Sequence, residues 1–229
     1  MNGRELPWRM TSDPYRVFVA EFMLQRTGAS QVVNVYDAFL SKFPNAHTVR
    51  NSRIEEVAAA LEPLGLRKRI PQFHRALSVI SSDYHGRVPQ TLSDLLALPG
   101  VGPYTARAVL CFAYGQRFGI VDVNVTRVLE RLLGEKLSSG ATHAKKRTWD
   151  LADALVSFGC PKAVNWALLD LAHAVCIRRD PRCPDCPLSG LCANSKKEQN
   201  RFIPEPSQRR SPVQADRANR RRDHDPIIC

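Results

Sequence analysis

The sequence lacks long hydrophobic runs and has few signals for β-strands. No uninterrupted apolar stretch approaches the roughly 18 residues that a membrane-spanning helix requires, so we expect no membrane contact. The first residues, MNGRELPWRMTSDPYR, have no basic segment followed by an apolar one, unlike an export signal. From these absences we expect a protein of the cytoplasm, associated with the nucleoid. Hydrophobic residues at 44% and charged residues at 24% are typical of a globular chain.

Acidic residues are in the minority. The chain has 33 lysines and arginines against 22 aspartates and glutamates, a formal charge of +11. Cations that neutralise phosphate groups release condensed counterions, so this surplus favours a nucleic-acid partner, although solvated surface charge would give the same composition. Residues 204–229 combine many arginines with few apolar residues, and we predict a disordered basic tail there.

Apolar residues recur at helical spacing along most of the chain, which predicts an all-α fold. Prolines and glycines mark helix ends, as at Pro14 and Gly86. Only residues 118–123 have an extended pattern, and this run is too short to imply a sheet. The predicted helices are Tyr15–Thr27, Ser30–Phe43, Ile54–Leu61, Phe73–Tyr84, Thr91–Leu98, Pro103–Tyr114, Val123–Leu133, Thr148–Phe158 and Val164–Val175.

A glycine-rich turn, LPGVG at residues 98–102, separates two of these helices, and Pro103 begins the second. Glycines permit backbone angles closed to other residues and let a ligand approach the main chain closely. The amides of the turn and of the following helix N-terminus then point to one spot, where a phosphate oxygen can bind. The pattern therefore predicts a helix-hairpin-helix that grips a DNA backbone without reading its sequence, with an ordinary helix connection as the alternative.

Four of the seven cysteines crowd into one loop, with the spacing Cys176-x6-Cys183-x2-Cys186-x5-Cys192. Such a cluster in a reducing compartment indicates a metal site rather than disulfides. Four thiolates can hold either a tetrahedral zinc ion or a [4Fe-4S] cluster. Structural zinc sites usually have two C-x2-C pairs and this loop has one, so its uneven spacing favours the iron–sulfur cluster. Three arginines of the loop are candidates for a second phosphate contact or for plain solvated charge: Arg178, Arg179 and Arg182.

A single carboxylate, Asp122, lies in the apolar run GIVDVNV just ahead of a predicted helix. The commonest role for an aspartate in this position is to cap the helix N-terminus. A partly desolvated carboxylate beside a DNA-binding hairpin can also stabilise the oxocarbenium ion that forms as a base leaves its sugar. The two roles are compatible.

Together, LPGVGPYTA, the aspartate of VDVN and the four-cysteine loop resemble the helix-hairpin-helix, Gly/Pro-Asp DNA glycosylases that carry an iron–sulfur cluster. The similarity runs from about Pro7 to Cys192 and implies that Asp122 is the essential carboxylate. It also implies two helical domains, a six-helix barrel with the hairpin and a cluster domain, with the target base flipped into a cleft between them. On this basis we expect residues 1–24 to pack with the cluster domain, 25–122 to form the hairpin domain and 123–203 to form the cluster domain.

The resemblance assigns the remaining site residues. Family members with lyase activity carry an attacking lysine in the helix after the hairpin; here Tyr104 holds that position and Pro103–Tyr114 contains no lysine, so we expect a monofunctional enzyme. Glu21 is expected to face the pocket, as a general acid or as a group that orients water or the base. Arg26 resembles the residue that fills the gap left by the flipped base. The expected catalytic residues are Asp122, Glu21 and Tyr104, and the expected DNA contacts are Gln25, Arg26, Pro99, Gly100, Val101, Gly102 and Thr105.

Within the family, the target base is either a pyrimidine or adenine. Residues 25–27, QRT, stand where adenine glycosylases usually have Gln-Gln-Thr, and residues 63–69 are similar to the thymine/uracil mismatch enzymes. Adenine glycosylases also typically carry a further C-terminal domain, where this sequence has a polar tail. We therefore expect a monomeric enzyme that removes thymine and uracil mispaired with guanine from double-stranded DNA. The alternatives are an adenine glycosylase acting opposite guanine or 8-oxoguanine, and a non-catalytic iron–sulfur DNA-binding module.

Overall fold

The computed structural model describes residues 4–137 and 142–195, and the regular elements in these ranges are all helices. The all-α prediction is therefore confirmed. Within the same ranges, no helix is both long and apolar enough to span a membrane. The α-helices are α1 (Pro14–Met23), α2 (Ala29–Lys42), α3 (Ala46–Asn51), α4 (Ile54–Leu61), α5 (Ile70–Asp83), α6 (Leu92–Ala97), α7 (Pro103–Tyr114), α8 (Val123–Leu133), α9 (Thr142–Ser157) and α10 (Pro161–Ala174), and short 3-10 turns cover Pro7–Arg9, Glu62–Leu64 and Cys183–Asp185.

The helix limits differ from the sequence-based expectation in a few places. The predicted end of the first helix at Thr27 is wrong, because α1 stops at Met23 and a turn follows. The sequence analysis does not predict α3, which has only 6 residues and begins where the side chain of Asn45 accepts a backbone bond. Helix α9 begins at Thr142, ahead of the predicted start at Thr148. The predicted basic tail, 204–229, lies outside the described residues.

Aromatic rings organise the first hydrophobic core, which α1 to α7 build together. The ring of Phe73 in α5 lies 4.8 Å from that of Phe22 in α1 and 5.7 Å from that of Phe39 in α2, measured between centroids. Tilted ring pairs of this kind stabilise a core beyond the effect of buried area alone. Helix α1 also packs along α7, so side chains of these two helices can face a common site.

A second, smaller core lies between α8 and α10. Part of the cysteine loop packs against its edge, through Cys176, Cys186 and Leu188. The loop is therefore anchored on the two helices that build this core. The domain limits expected from the sequence stay a prediction. The buried members of the second core are Val125, Val128, Leu129, Leu137, Leu168, Leu171, Ala172 and Val175.

The segment 118–121 joins the two cores and leads directly into Asp122. Asn165 of α10, which is fully buried, accepts a hydrogen bond from Ile120 N at 3.0 Å. The same side chain donates its Nδ2 to Phe118 O at 2.9 Å. One amide side chain thus satisfies two backbone groups that have no helix or sheet partner, which fixes the path of the segment.

The opposite side of this segment rests on α9. Asp153 accepts a bond from Gly119 N at 2.8 Å and a bidentate ion pair from Arg107 of α7, at 2.7 and 3.0 Å. A Cβ atom at Gly119 would lie 2.3 Å from the carbonyl carbon of Ala152, a separation that real Cβ atoms do not reach. Glycine is therefore required for this close approach, and the backbone ahead of the aspartate is held from two sides.

Candidate active site and DNA interface

Asp122 is the N-cap of α8, and its half-buried carboxylate is fully oriented by hydrogen bonds. Its Oδ1 accepts from Asn124 N at 2.9 Å and from Val125 N at 2.7 Å. Its Oδ2 accepts from the side-chain Nδ2 of Asn124 at 2.8 Å. The capping role expected from the sequence is confirmed. These donors hold the negative charge at one defined place beside the N-terminus of the helix.

Asn124 is in turn held by Arg127, and the sequence analysis missed both residues. The Nη1 of Arg127 donates to Asn124 Oδ1 at 2.9 Å, while its Nε donates to Cys176 O at 3.0 Å. A continuous set of bonds therefore connects the carboxylate of Asp122 to the backbone of the first loop cysteine. The spacing Asp-x-Asn-x-x-Arg, with Asn and Arg three residues apart and so adjacent on one helix face behind the capping aspartate, is a signal that was available in the sequence.

Glu21 is a buried carboxyl group on α1, with 3% of its surface exposed. Its Oε2 finds no hydrogen-bond partner among the residues that the structure describes. Burial raises the pKa of Glu21 to about 8, even though the positive charge of Arg9 acts to lower it. Below that pH the group is mainly protonated and has a proton to donate.

Tyr104 lies in the first turn of α7 and completes this set. Burial raises its pKa well above the ordinary value, and the negative charges of Glu21 and Asp122 raise that pKa further. Both carboxyl groups thus act on one phenol. Glu21 and Asp122 are therefore near enough to Tyr104 to affect its pKa, and Tyr104 keeps its hydroxyl hydrogen as a donor at neutral pH. The catalytic role expected for these three residues stays a prediction.

The N-terminal segment is bound to α10 by an ion-pair cluster that was not expected from the sequence. Arg9 makes a bidentate pair with Asp170 of α10, at 2.8 and 3.0 Å, and Arg4 Nε lies 2.6 Å from the same carboxylate. Burial acts to raise the pKa of Asp170, but the hydrogen bonds from Arg9 and Arg4 bring that pKa below its usual value. Arg4 and Arg9 also lower the pKa of Tyr104, so they add positive charge to the surroundings of the site.

A cavity of about 990 Å³ opens on the α8 side of Asp122. Val121, Val123 and Asn124 line the part nearest the carboxylate, and the side chain of Val123 is 80% exposed. Arg127 lines the cavity as well. Glu21, on α1, and Tyr104, on α7, are not among the residues that line this cavity.

The predicted hairpin has the geometry of a backbone-binding turn. Gly100 has a φ of +75°, and a Cβ atom there would lie 3.0 Å from the ring of Phe22 and from Gln72 Cβ. Gly102 is the N-cap of α7 and has open space where a Cβ atom would lie. Because Gly102 has no side chain to cap the helix, the first amides of α7 stay accessible to an anion.

Three further residues expected to contact DNA, Gln25, Arg26 and Thr105, differ in their surroundings. Arg26 is exposed and has a φ of +63°, a conformation that costs energy for any residue other than glycine. The amide of Gln25, by contrast, bonds to Gly100 O and to Thr105 Oγ1 within the protein. Thr105 itself is only 3% exposed, so its side chain is not available to a ligand.

The four loop cysteines are not joined in disulfides and are each partly exposed. Arg131 of α8 contacts both ends of the loop, since its Nη1 is 3.4 Å from Cys176 Sγ and its carbonyl oxygen accepts from Cys192 Sγ at 3.2 Å. Within the described ranges, no three acidic, histidine or cysteine side chains approach closely enough to hold a single metal ion. The three loop arginines, Arg178, Arg179 and Arg182, are exposed.

Comparisons with known proteins agree with this geometry. A sequence model of the helix-hairpin-helix motif matches residues 83–112. The thymine-DNA glycosylase of Aeropyrum pernix is 38% identical over 192 residues, covering 82% of this chain and 86% of the relative. An adenine DNA glycosylase of Mycobacterium tuberculosis is 37% identical over 186 residues, and this chain spans 61% of its length. The solved structure of a thermostable thymine-DNA glycosylase superposes with a TM-score of 0.79 at 36% identity, covering 85% of this chain and 89% of that one. The chain belongs to the helix-hairpin-helix DNA glycosylase family.

Proposed function

We propose that this glycosylase hydrolyses the N-glycosidic bond of thymine, and of uracil, mispaired with guanine in double-stranded DNA. The observation that carries the proposal is the grouping of Glu21, Tyr104 and Asp122 beside a hairpin helix without a lysine. No amine is available on that helix to attack the sugar, so the expected reaction is base removal by water rather than strand cleavage. The choice of base is supported by two thymine-DNA glycosylases that are similar to this chain over most of its length.

Each of the three side chains has a distinct part in bond cleavage. As the bond between C1′ and the base nitrogen breaks, positive charge develops on the sugar, and the fixed carboxylate of Asp122 stabilises it. The base departs with the bonding electrons and accumulates negative charge. The neutral carboxyl of Glu21 and the hydroxyl of Tyr104 are hydrogen donors that can stabilise that charge. Water then adds its oxygen to C1′ and releases a proton.

Adenine is the second candidate base, and one observation favours it. Adenine is a poor leaving group unless it is protonated, and Glu21 retains its proton at neutral pH because burial raises its pKa to about 8. The relatives at 37% identity include an adenine DNA glycosylase. Arg26, which replaces the usual second glutamine of those enzymes, supports the pyrimidine choice instead.

A [4Fe-4S] cluster held by Cys176, Cys183, Cys186 and Cys192 belongs to the same proposal. The donor set is four thiols on one loop, none of them joined in a disulfide, and thiolates are the ligands that hold such clusters. Such a cluster would brace the loop and its arginines for the DNA backbone, with no redox step in base removal. A monomeric state, mismatched DNA as the partner and a nucleoid-associated location complete the proposal.

The first experiment is base release from a set of labelled duplexes: G·T, G·U, adenine opposite guanine, and adenine opposite 8-oxoguanine. Each duplex is analysed with and without alkali, because alkali cleaves the strand at an abasic site. Release from G·T and G·U with strand breaks only after alkali is the expected result. Release from the adenine duplexes alone would overturn the pyrimidine assignment.

The variant that tests the role of Asp122 is Asp122→Asn, which keeps the size of the side chain and removes its charge. We expect this variant to bind the duplex and to lose at least about 100-fold in single-turnover rate, because electrostatic stabilisation of the sugar cation is lost. Full activity of Asp122→Asn would refute the catalytic role of this residue. Failure of the wild type on every duplex would favour the non-catalytic DNA-binding module.

A further inference from the structure

A set of hydrogen bonds connects the turn after α1, the start of α5 and the hairpin. Gln25 is at its centre: its Nε2 donates to Gly100 O at 3.2 Å and to Thr105 Oγ1 at 3.1 Å. Two residues of the hairpin region are therefore bound by one amide group. This use of the amide leaves Gln25 no spare donor for DNA.

Arg69, the residue just ahead of α5, binds Gln25 from the other side. Its Nη1 donates to the side-chain Oε1 of Gln25 and also to the main-chain oxygen of Gln25, the latter at 3.3 Å. Arg69 is partly buried, and the carbonyl that it binds belongs to the peptide joining Gln25 to Arg26. A charged donor on that carbonyl fixes the orientation of the peptide plane.

That peptide plane sets the conformation of Arg26. Arg26 has a φ of +63°, and its Cβ atom makes this left-handed conformation costly. A non-glycine residue in the left-handed region persists only when its neighbours over-determine it. Gln25 is such a neighbour, because its main chain and its side chain are both bound.

From this arrangement we infer that Arg69 and Gln25 are positioning residues, which hold Arg26 in the conformation that fills the DNA stack and couple it to the hairpin. The role rests on the proposed function and on the expectation from the sequence that Arg26 fills the gap left by the flipped base. Its physical content is preorganisation: the strained turn is already formed before DNA binds, so the energy of binding is not needed to create it. The hairpin that grips the backbone and the side chain that enters the stack are then set at a fixed distance from each other.

The test compares Arg69→Ala, Gln25→Met and Arg26→Ala on whichever duplex of the panel the wild type cleaves. Choosing the substrate in this way keeps the test valid if the base assignment fails. Gln25→Met keeps the length of the side chain and its neutral charge while removing its hydrogen bonds. The readouts are single-turnover rate, duplex affinity, and the fluorescence of 2-aminopurine placed next to the mismatch, which reports unstacking.

We expect each variant to lose about tenfold in rate and most of the fluorescence rise, with duplex affinity within about twofold of wild type. Arg67→Ala is the matched control for Arg69→Ala. The side chain of Arg67 is 84% exposed, Arg67 lies two residues ahead of Arg69, and its substitution removes the same charge. It should keep both the rate and the fluorescence signal.

The double variant Arg26→Ala with Arg69→Ala decides whether Arg69 acts through Arg26. If it does, the double variant is no slower than Arg26→Ala alone, because the two losses share one cause. Additive losses, or a fluorescence rise in Arg69→Ala equal to that of wild type, would overturn the inference. Thermal unfolding of each variant identifies any general loss of structure. A variant that is slow only because it is unfolded would also lose duplex affinity, and this would contradict the expected result of unchanged affinity.

Discussion

A carboxyl group that is buried without a hydrogen-bond partner costs stability when it ionises. Glu21 is in this situation, since one of its oxygens has no partner in the described structure and its pKa is raised by burial to about 8. An unfolded chain would ionise the same group near its usual pKa of 4.5. Between these two pKa values the folded protein binds one proton more than the unfolded chain, so the stabilising contribution present at low pH is lost as the pH rises.

Glu21→Gln should therefore be more stable than wild type at neutral pH, by a margin that grows with pH. The amide does not ionise, so only the wild type loses free energy of unfolding, by at most about 1.4 kcal/mol per pH unit between roughly pH 5 and pH 8. Urea unfolding of both proteins at several pH values measures the margin. The same margin at every pH would show that Glu21 titrates normally.

At the scale of single elements, the hairpin contains two glycines with opposite requirements. Gly100 has a positive φ and no room for a Cβ atom, whereas Gly102 has a φ of −99° and open space around it. The first glycine is thus required by the fold. At the second, Gly102, the fold itself has room for a Cβ atom. The open space there instead leaves the amides of α7 accessible to a ligand.

Gly100→Ala and Gly102→Ala should separate these two requirements. We expect Gly100→Ala to lose at least about 1–2 kcal/mol of stability from the left-handed conformation, with the contacts to Phe22 and Gln72 adding to the loss. Gly102→Ala should keep its stability but bind duplex DNA several-fold more weakly, because a methyl group obstructs the approach of a phosphate. Chemical unfolding and duplex titration of both variants measure this. Unchanged DNA affinity in Gly102→Ala would argue against phosphate binding at this turn.

Structural features set by local residue spacing can be predicted from the sequence, whereas contacts between distant residues cannot. The hairpin, the helix cap at Asp122 and the cysteine loop are local patterns, whose residue spacing alone indicates the structure. Arg4 and Asp170, or Gln25 and Thr105, are distant in the sequence, and only the packing of helices brings them together. No local periodicity reports such contacts. The turn after α1 was missed for a related reason, since its strained residue is fixed by bonds from α5 and the hairpin.

At the scale of the whole molecule, the two cores differ in what they depend on. The first is built by the packing of α1 to α7, without the cysteine loop. The second is smaller and includes Cys176 and Cys186 at its edge. Arg127 then connects the backbone of Cys176 to Asn124, which orients the carboxylate of Asp122. Loss of order in the loop should therefore reach Asp122 while leaving the first core folded.

Cys183→Ser tests this dependence. We expect the purified wild type to be brown and to contain about four irons per chain, and the variant to lose that iron. The variant should retain the greater part of its helical circular dichroism, because the first core is independent of the loop, but should lose base release through the disturbed set of bonds from Cys176 to Asp122. Cys111→Ser is the control, since Cys111 is a buried thiol outside the loop and its substitution should leave the iron content unchanged. A colourless wild type that contains zinc would refute the cluster, and full activity of an iron-free Cys183→Ser variant would show that the loop does not position the aspartate.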